Sequence, residues 1–163
     1  MFTNKNNLKS KIFYTRLALM QAQRSLGNTK QNPSVGCVIV KNSSIVGTGF
    51  TSFGGTPHAE VNAIKSAKKN ASNSHLFVTL EPCSHYGKTP PCTKYIIQNN
   101  IKKVFFSIND PDSRSFNKSS KKLRKNGIYV NKGTFRKEIN FFYRSYFKFK
   151  KKNLPFVTSK LAI

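Results

Sequence analysis

Leu76-Phe77-Val78-Thr79-Leu80-Glu81-Pro82-Cys83, followed by a second cysteine at Cys92, is the stretch that decides the fold. Leu76 to Leu80 is a short apolar run stopped by a proline two residues on, which reads as a buried strand. Pro82 to Pro91 reads as an elaborate loop, and Thr93 to Asn99 as a helix. Upstream, His58 to Lys69 reads as a helix opening after the Gly/Pro/Thr loop Thr51 to Pro57. Before that loop, the β-branched run Val35 to Val40 and the segment Ile45 to Phe50 flank a turn and read as a hairpin. Asn28 to Pro33 is a loop, and Ile12 to Arg24 spaces Phe13, Leu17 and Met20 as an amphipathic helix. Downstream come a strand at Lys103 to Ile108, a short helix at Ser119 to Asn126 and a strand at Ile128 to Val130. A basic aromatic helix around Glu138 to Phe149 follows, and no internal repeat is present. Strands alternating with helices after an opening hairpin predict an α/β fold, a mixed sheet with helices on both faces. Ligand sites in such sheets lie beyond the carboxyl ends of strands, at helix N-termini. Pro57-His58-Ala59-Glu60 and Glu81-Pro82-Cys83 both fall in that position.

Composition narrows the chemistry. A chain of 163 residues fits one domain with a real core, and 37% hydrophobic residues is ordinary for a soluble protein. No apolar run is long enough to cross a bilayer, and Met1 to Ser10 lacks the apolar centre of a secretory signal. With three cysteines and no paired framework, a reducing cytoplasm is the expected compartment. The net charge of +24 invites a nucleic-acid reading. Lysines spread along the chain, with no recognisable binding module in Lys118 to Lys125 or Lys148 to Lys152, favour compositional drift instead. Only five carboxylates are present, Glu60, Glu81, Asp110, Asp112 and Glu138. That number poorly suits a paired-carboxylate glycosidase or an oxygen cage for magnesium or calcium.

Zinc takes imidazole nitrogen and thiolate sulfur, and a catalytic site keeps three protein ligands and one open position. His58, Cys83 and Cys92 supply that set, and His58 and Cys83 are each expected to open a helix, where the dipole favours anions. One zinc per chain is the expected cofactor. Bound zinc brings the pKa of water to about 7, and Glu60, two residues after His58, is placed to shuttle the proton. Cys37, inside Val35-Gly36-Cys37-Val38-Ile39-Val40, reads as core packing. His75 reads as surface, Asp110 and Asp112 as turn residues around Pro111, and Glu81 as an anchor for the loop backbone near Cys83.

The pattern H-x-E followed by P-C-x-x-C is the zinc-deaminase signature, and the chain resembles the cytidine-deaminase superfamily. Its cysteines are separated by the eight residues Ser84 to Pro91, and Glu81-Pro82-Cys83-Ser84-His85-Tyr86-Gly87-Lys88-Thr89-Pro90-Pro91-Cys92 is similar to the riboflavin-biosynthesis pyrimidine deaminases. Asn32-Pro33-Ser34-Val35-Gly36, Pro57-His58-Ala59-Glu60-Val61 and Val78-Thr79-Leu80 are similar to the same family, and the likeness runs from about Tyr14 to the C-terminus. The resemblance implies a three-layer α/β/α fold with a mixed sheet of about five strands. It implies hydrolytic removal of the 2-amino group of a small phosphorylated pyrimidine, 2,5-diamino-6-ribosylamino-4(3H)-pyrimidinone 5′-phosphate, with zinc-activated water. His58, Cys83 and Cys92 then correspond to its zinc ligands, Glu60 to its proton shuttle, and Asn32, His85 and Lys88 to substrate contacts. The chain departs from the family at Thr51 and over Asp112 to Ser115. Residues 1–150 are expected to form the deaminase domain. Leu154 to Ile163 is similar to the opening strand of the family's reductase domain, which implies a free-standing deaminase with the reductase on a separate polypeptide. Family members associate through this domain, so a homo-oligomer is implied. The competing readings are a tRNA adenosine deaminase, against which the cysteine insert stands, and a non-catalytic basic zinc module, which would need a fourth protein ligand.

Overall fold

The hairpin forms as β1 (Gly36–Lys41) and β2 (Ser44–Phe50) in the computed structural model, which describes residues 3–87 and 89–161. Asn42 and Ser43 between them both take positive φ, 50° and 63°, the backbone twist that suits a two-residue hairpin turn. β3 (His75–Leu80) pairs antiparallel with β1 and parallel with β4 (Lys103–Ile108), which pairs parallel with β5 (Tyr129–Lys132). The sheet is therefore mixed, in the order β2-β1-β3-β4-β5. The described residues also form six α-helices, α1 (Thr3–Gln23), α2 (Ala59–Ala67), α3 (Cys92–Gln98), α4 (Lys118–Lys125), α5 (Arg136–Phe142) and α6 (Arg144–Lys152), with a short 3-10 turn at Lys68–Ala71.

Alternation along the strands sorts the core into two layers. Cys37, Ile39, Leu76, Val78, Val104 and Phe106 face one way and pack with Ala63 and Ile64 of α2, Ile96 of α3 and Leu123 of α4. Val38, Val40, Phe77 and Phe105 face the other way, against Tyr14, Leu17 and Ala18 of α1. β3 and β4 are each buried at every position after the first, as a sheet covered on both faces requires. The helix-sheet-helix layering expected from the sequence is present. Close approach is bought with glycine: a Cβ on Gly49 would overlap the backbone of Ala59 and Ala63, so α2 can lie flush on β2.

Three local expectations are corrected. The first helix is longer than Ile12 to Arg24, starting at Thr3. The basic aromatic segment is two helices, α5 and α6, jointed at Tyr143, whose φ of −88° and ψ of 7° leave the helical region. Cys83 opens no helix; α3 begins at Cys92. Pro90-Pro91 explains the delay, because proline holds the preceding residue extended and Pro91 itself sits at the cap with ψ 143°. From Asn153 to Leu161 the chain is exposed and forms neither helix nor strand. No described helix is long and apolar enough to cross a membrane.

Candidate active site

The carboxyl ends of β3 and β4, the start of β1 and the N-termini of α2 and α3 meet at one end of the sheet. His58 caps α2, with φ −71° and ψ 160°. Cys92 is the first residue of α3. Cys83 lies on the loop leaving β3, and that loop is tied to α3 by Thr93 N donating to the Cys83 carbonyl (3.2 Å) and Cys92 N donating to Cys83 Sγ (3.1 Å). His58 Nδ1 lies 3.2 Å from Cys92 Sγ and 3.6 Å from Cys83 Sγ. The ligand atoms of His58, Cys83 and Cys92 all lie within 4.8 Å of one another, and among the described residues no fourth His, Cys, Asp or Glu joins them. One imidazole and two thiols, converging with one side open, fit zinc in its catalytic rather than structural form. Cys37 lies in the core layer that α2, α3 and α4 cover, fully buried and outside the cluster.

The electrostatics agree with that assignment. A hydrogen bond from Cys92, assisted by His58, brings the Cys83 thiol down to about 4. The same bond and burial push the Cys92 thiol up. The bond to Cys83 raises His58. Glu60 is buried in the first turn of α2, and burial above all, with the nearby Cys83 charge, pushes its carboxyl up to about 7. The enclosed site therefore collects two thiols and a carboxyl around one imidazole, a set that gains from a divalent cation.

A cleft of about 90 Å³ opens beside these groups, lined by His58, Glu60 and Cys83 together with Asn32, Thr51 and His85. Asn32 Nδ2 donates to the Gly55 carbonyl at 2.9 Å. His85 Nδ1 is 3.0 Å from Ser115 Oγ. The third expected substrate contact, Lys88, lies outside the described residues. Thr51 is structural: it accepts from Val35 N at 3.0 Å and donates to the Pro33 carbonyl at 3.1 Å. Asp110 and Asp112 do hold a turn, with Asp112 N donating to Asp110 Oδ1 and Arg114 N to Asp112 Oδ1, both at 3.0 Å.

The sequence reading missed part of this cleft. Asp112 is paired with Arg114 at 2.6 Å, which holds its carboxyl well below the usual range, and Lys150 approaches to 3.9 Å. Arg114, Lys150 and Tyr146 all line the cleft mouth. The one signal available was that Asp110 to Arg114 follow a parallel strand, at the sheet end where ligands bind. Glu81 is a correction. Its carboxylate accepts from Asn109 Nδ2 (2.6 Å), Ser119 Oγ (2.7 Å) and Asn117 N (3.1 Å), so it anchors the entry of α4 rather than the Cys83 loop. His75 is half-buried, with its ring 6.1 Å from that of Phe105, rather than simply on the surface. Behind the cleft runs a buried relay. Gly36 N donates to Thr79 Oγ1 (3.2 Å), Thr79 and Tyr143 hydroxyls lie 2.7 Å apart, and Tyr143 OH donates to the Ser34 carbonyl (2.9 Å).

Residues 8–108, which include His58, Glu60, Cys83 and Cys92, match the family model described as the cytidine and deoxycytidylate deaminase zinc-binding region. The chain belongs to the zinc-binding cytidine and deoxycytidylate deaminases. Within that family it is 43% identical over 143 residues to the diaminohydroxyphosphoribosylamino-pyrimidine deaminase of Buchnera aphidicola subsp. Schizaphis graminum, covering 88% of this chain and 97% of that one. It is 42% identical over 149 residues to riboflavin biosynthesis protein RibD of Aquifex aeolicus, covering 91% of this chain but only 42% of that protein. The solved structure of Acinetobacter baumannii RibD superposes with a TM-score of 0.87 at 37% identity, over 92% of this chain and 42% of that one. This deaminase thus spans about two fifths of the RibD relatives' length, and zinc is the cofactor of its family.

Proposed function

We propose that the chain removes the 2-amino group of 2,5-diamino-6-ribosylamino-4(3H)-pyrimidinone 5′-phosphate by hydrolysis in riboflavin biosynthesis. The products are 5-amino-6-ribosylaminouracil 5′-phosphate and ammonia. The observation that carries this reading is His58, Cys83 and Cys92 converging beside buried Glu60, in a chain matching a pyrimidine deaminase of that name along 97% of its length. Bound zinc, held by the three residues, supplies a Lewis acid that acidifies water. Glu60 takes the proton from the attacking water and hands it to the departing amine. Its enclosure keeps that proton from bulk solvent. Asn32 lines the cleft, held by its Nδ2 bond to the Gly55 carbonyl, and its amide is assigned to pairing with the ring edge. His85 is oriented by Ser115, and with Lys88 it is assigned to ring or phosphate contact. The following reduction is assigned to a separate polypeptide, a reading supported by a relative whose whole length this chain nearly matches. Residues 1–150 act as the deaminase unit and 151–163 as a segment outside it, in a homo-oligomer in the cytoplasm. Three free cysteines suit that reducing compartment.

Ammonia release decides the matter. The zinc-loaded chain should release ammonia from the pyrimidine nucleotide and none from a tRNA anticodon stem-loop; the reverse result would overturn the reading. Glu60→Gln should retain zinc by elemental analysis while turnover falls by about 10²–10⁴-fold, because the amide cannot carry the proton. Near-native turnover in a zinc-replete Glu60→Gln enzyme would place the shuttle elsewhere.

A further inference from the structure

At the opposite end of the sheet, where β3, β4 and β5 begin and the β1–β2 turn closes, lies a second cavity of about 490 Å³. The six residues of β3 separate it from the catalytic cleft by about 16 Å at roughly 3.3 Å per step. It is larger than the cleft and within the 300–1,000 Å³ range usual for small-molecule sites. Lys11 of α1, Lys41 at the hairpin turn, and Lys102 and Lys103 at the start of β4 all line it. No carboxylate does so. Four of the chain's five acids, Glu60, Glu81, Asp110 and Asp112, line the catalytic cleft, and the fifth, Glu138, lies on α5. The ion pairs among the described residues both belong to Asp112, so these four lysines have no carboxylate partner.

Aromatic rings form the floor. Phe105 stacks on Phe77 at 4.6 Å, Lys11 Nζ lies 5.5 Å from the Phe105 ring centre, and Lys103 Nζ lies 5.8 Å from that of Tyr129. Tyr129 is 53% exposed, so its ring is open to a ligand. Burial above all, with Lys103 and Lys102 nearby, holds the His75 imidazole below its ordinary range. Asn42 and Asn73 add side-chain amides, which donate and accept.

We propose that this cavity is a second binding site, for a nucleotide: phosphate against the lysines, base against the Tyr129 ring and the asparagine amides. The chemistry is shared by a free nucleoside triphosphate and by one residue of a single-stranded RNA. It gives a role to Lys11, Lys41, Lys102 and Lys103, which line no part of the catalytic cleft. The site is independent of the catalytic reading.

Equilibrium dialysis of the full chain against ATP, and in parallel against an oligoadenylate RNA, tests it at about 0.1 M salt. Lys102→Gln/Lys103→Gln should weaken ATP binding at least tenfold and flatten the salt dependence. Lys151→Gln/Lys152→Gln, which removes the same charge from the exposed end of α6, should leave it within about twofold. Tyr129→Ser should weaken ATP by about fivefold or more through lost stacking, yet leave inorganic triphosphate unchanged. Ammonia release should stay native in every variant. Tighter binding of RNA than of ATP, with the same dependence on Lys102 and Lys103, would identify a strand as the source; ATP binding alone would identify the free nucleotide. Equal losses in the two lysine pairs would reduce the effect to net charge, and no binding of either probe below about 1 mM would remove the site.

Discussion

Tyr143 shows how much one side chain far from the motifs can govern the site. Its hydroxyl, fully enclosed, links Thr79 on β3 to the Ser34 carbonyl at the entry to β1, and Thr79 in turn receives Gly36 N–H. Tyr143→Phe keeps the ring but leaves a buried carbonyl without a donor, a loss of about 1–3 kcal/mol. A urea titration should show a lower midpoint with an unchanged slope; an unchanged midpoint would mean the relay is ornamental. Nothing in the sequence near Tyr143 announces this bond, because its partners lie 64 and 109 positions away. His58, Glu60, Cys83 and Cys92 were legible for the opposite reason. Their residue types suit a zinc site, and the motifs that carry them resemble those of a known deaminase family. The partners of Glu81, and the Arg114–Asp112 pair at the cleft mouth, depend on how separate loops fold over the sheet, which no local pattern encodes.

Strand and helix contacts obey the same division. Apolar and β-branched runs were enough to place five strands within a residue or two, and the helix read at Thr93 to Asn99 forms one residue earlier, as α3. What spacing could not show is why α2 lies so close to β2. Gly49 supplies the answer, since any side chain there meets the α2 backbone at Ala59 and Ala63. Gly49→Ala should lower stability by about 1–3 kcal/mol, the usual effect of overpacking, and displace the His58 cap that α2 holds over the cleft. Thermal unfolding should register that loss. Thr48→Ala, one residue earlier on the half-buried face, should change stability by less, and equal effects would show that the flush contact has slack.

Across the whole molecule the dominant quantity is charge, 29 basic residues against 5 acidic. Ion pairs relieve little of it, since those among the described residues share Asp112. Mutual repulsion must therefore oppose folding, and raising salt from about 0.1 M to about 1 M cuts the screening length from about 10 Å to about 3 Å. The melting temperature should rise across that range; a flat response would mean the lysines are too far apart to matter. Drift in composition and a basic binding cavity leave the same count of lysines, so the linear sequence could not separate them; only the three-dimensional segregation of the acids distinguishes one end from the other. One of the two edge strands, β2, reads Ser44-Ile45-Val46-Gly47-Thr48-Gly49-Phe50 and carries no charge along its unpaired edge. Such an edge is a template on which a second chain can add a strand. Coulomb repulsion between whole molecules is the barrier to that encounter, so the salt that steadies each chain also lowers its colloidal protection, and concentrated stocks will keep longest in dilute buffer.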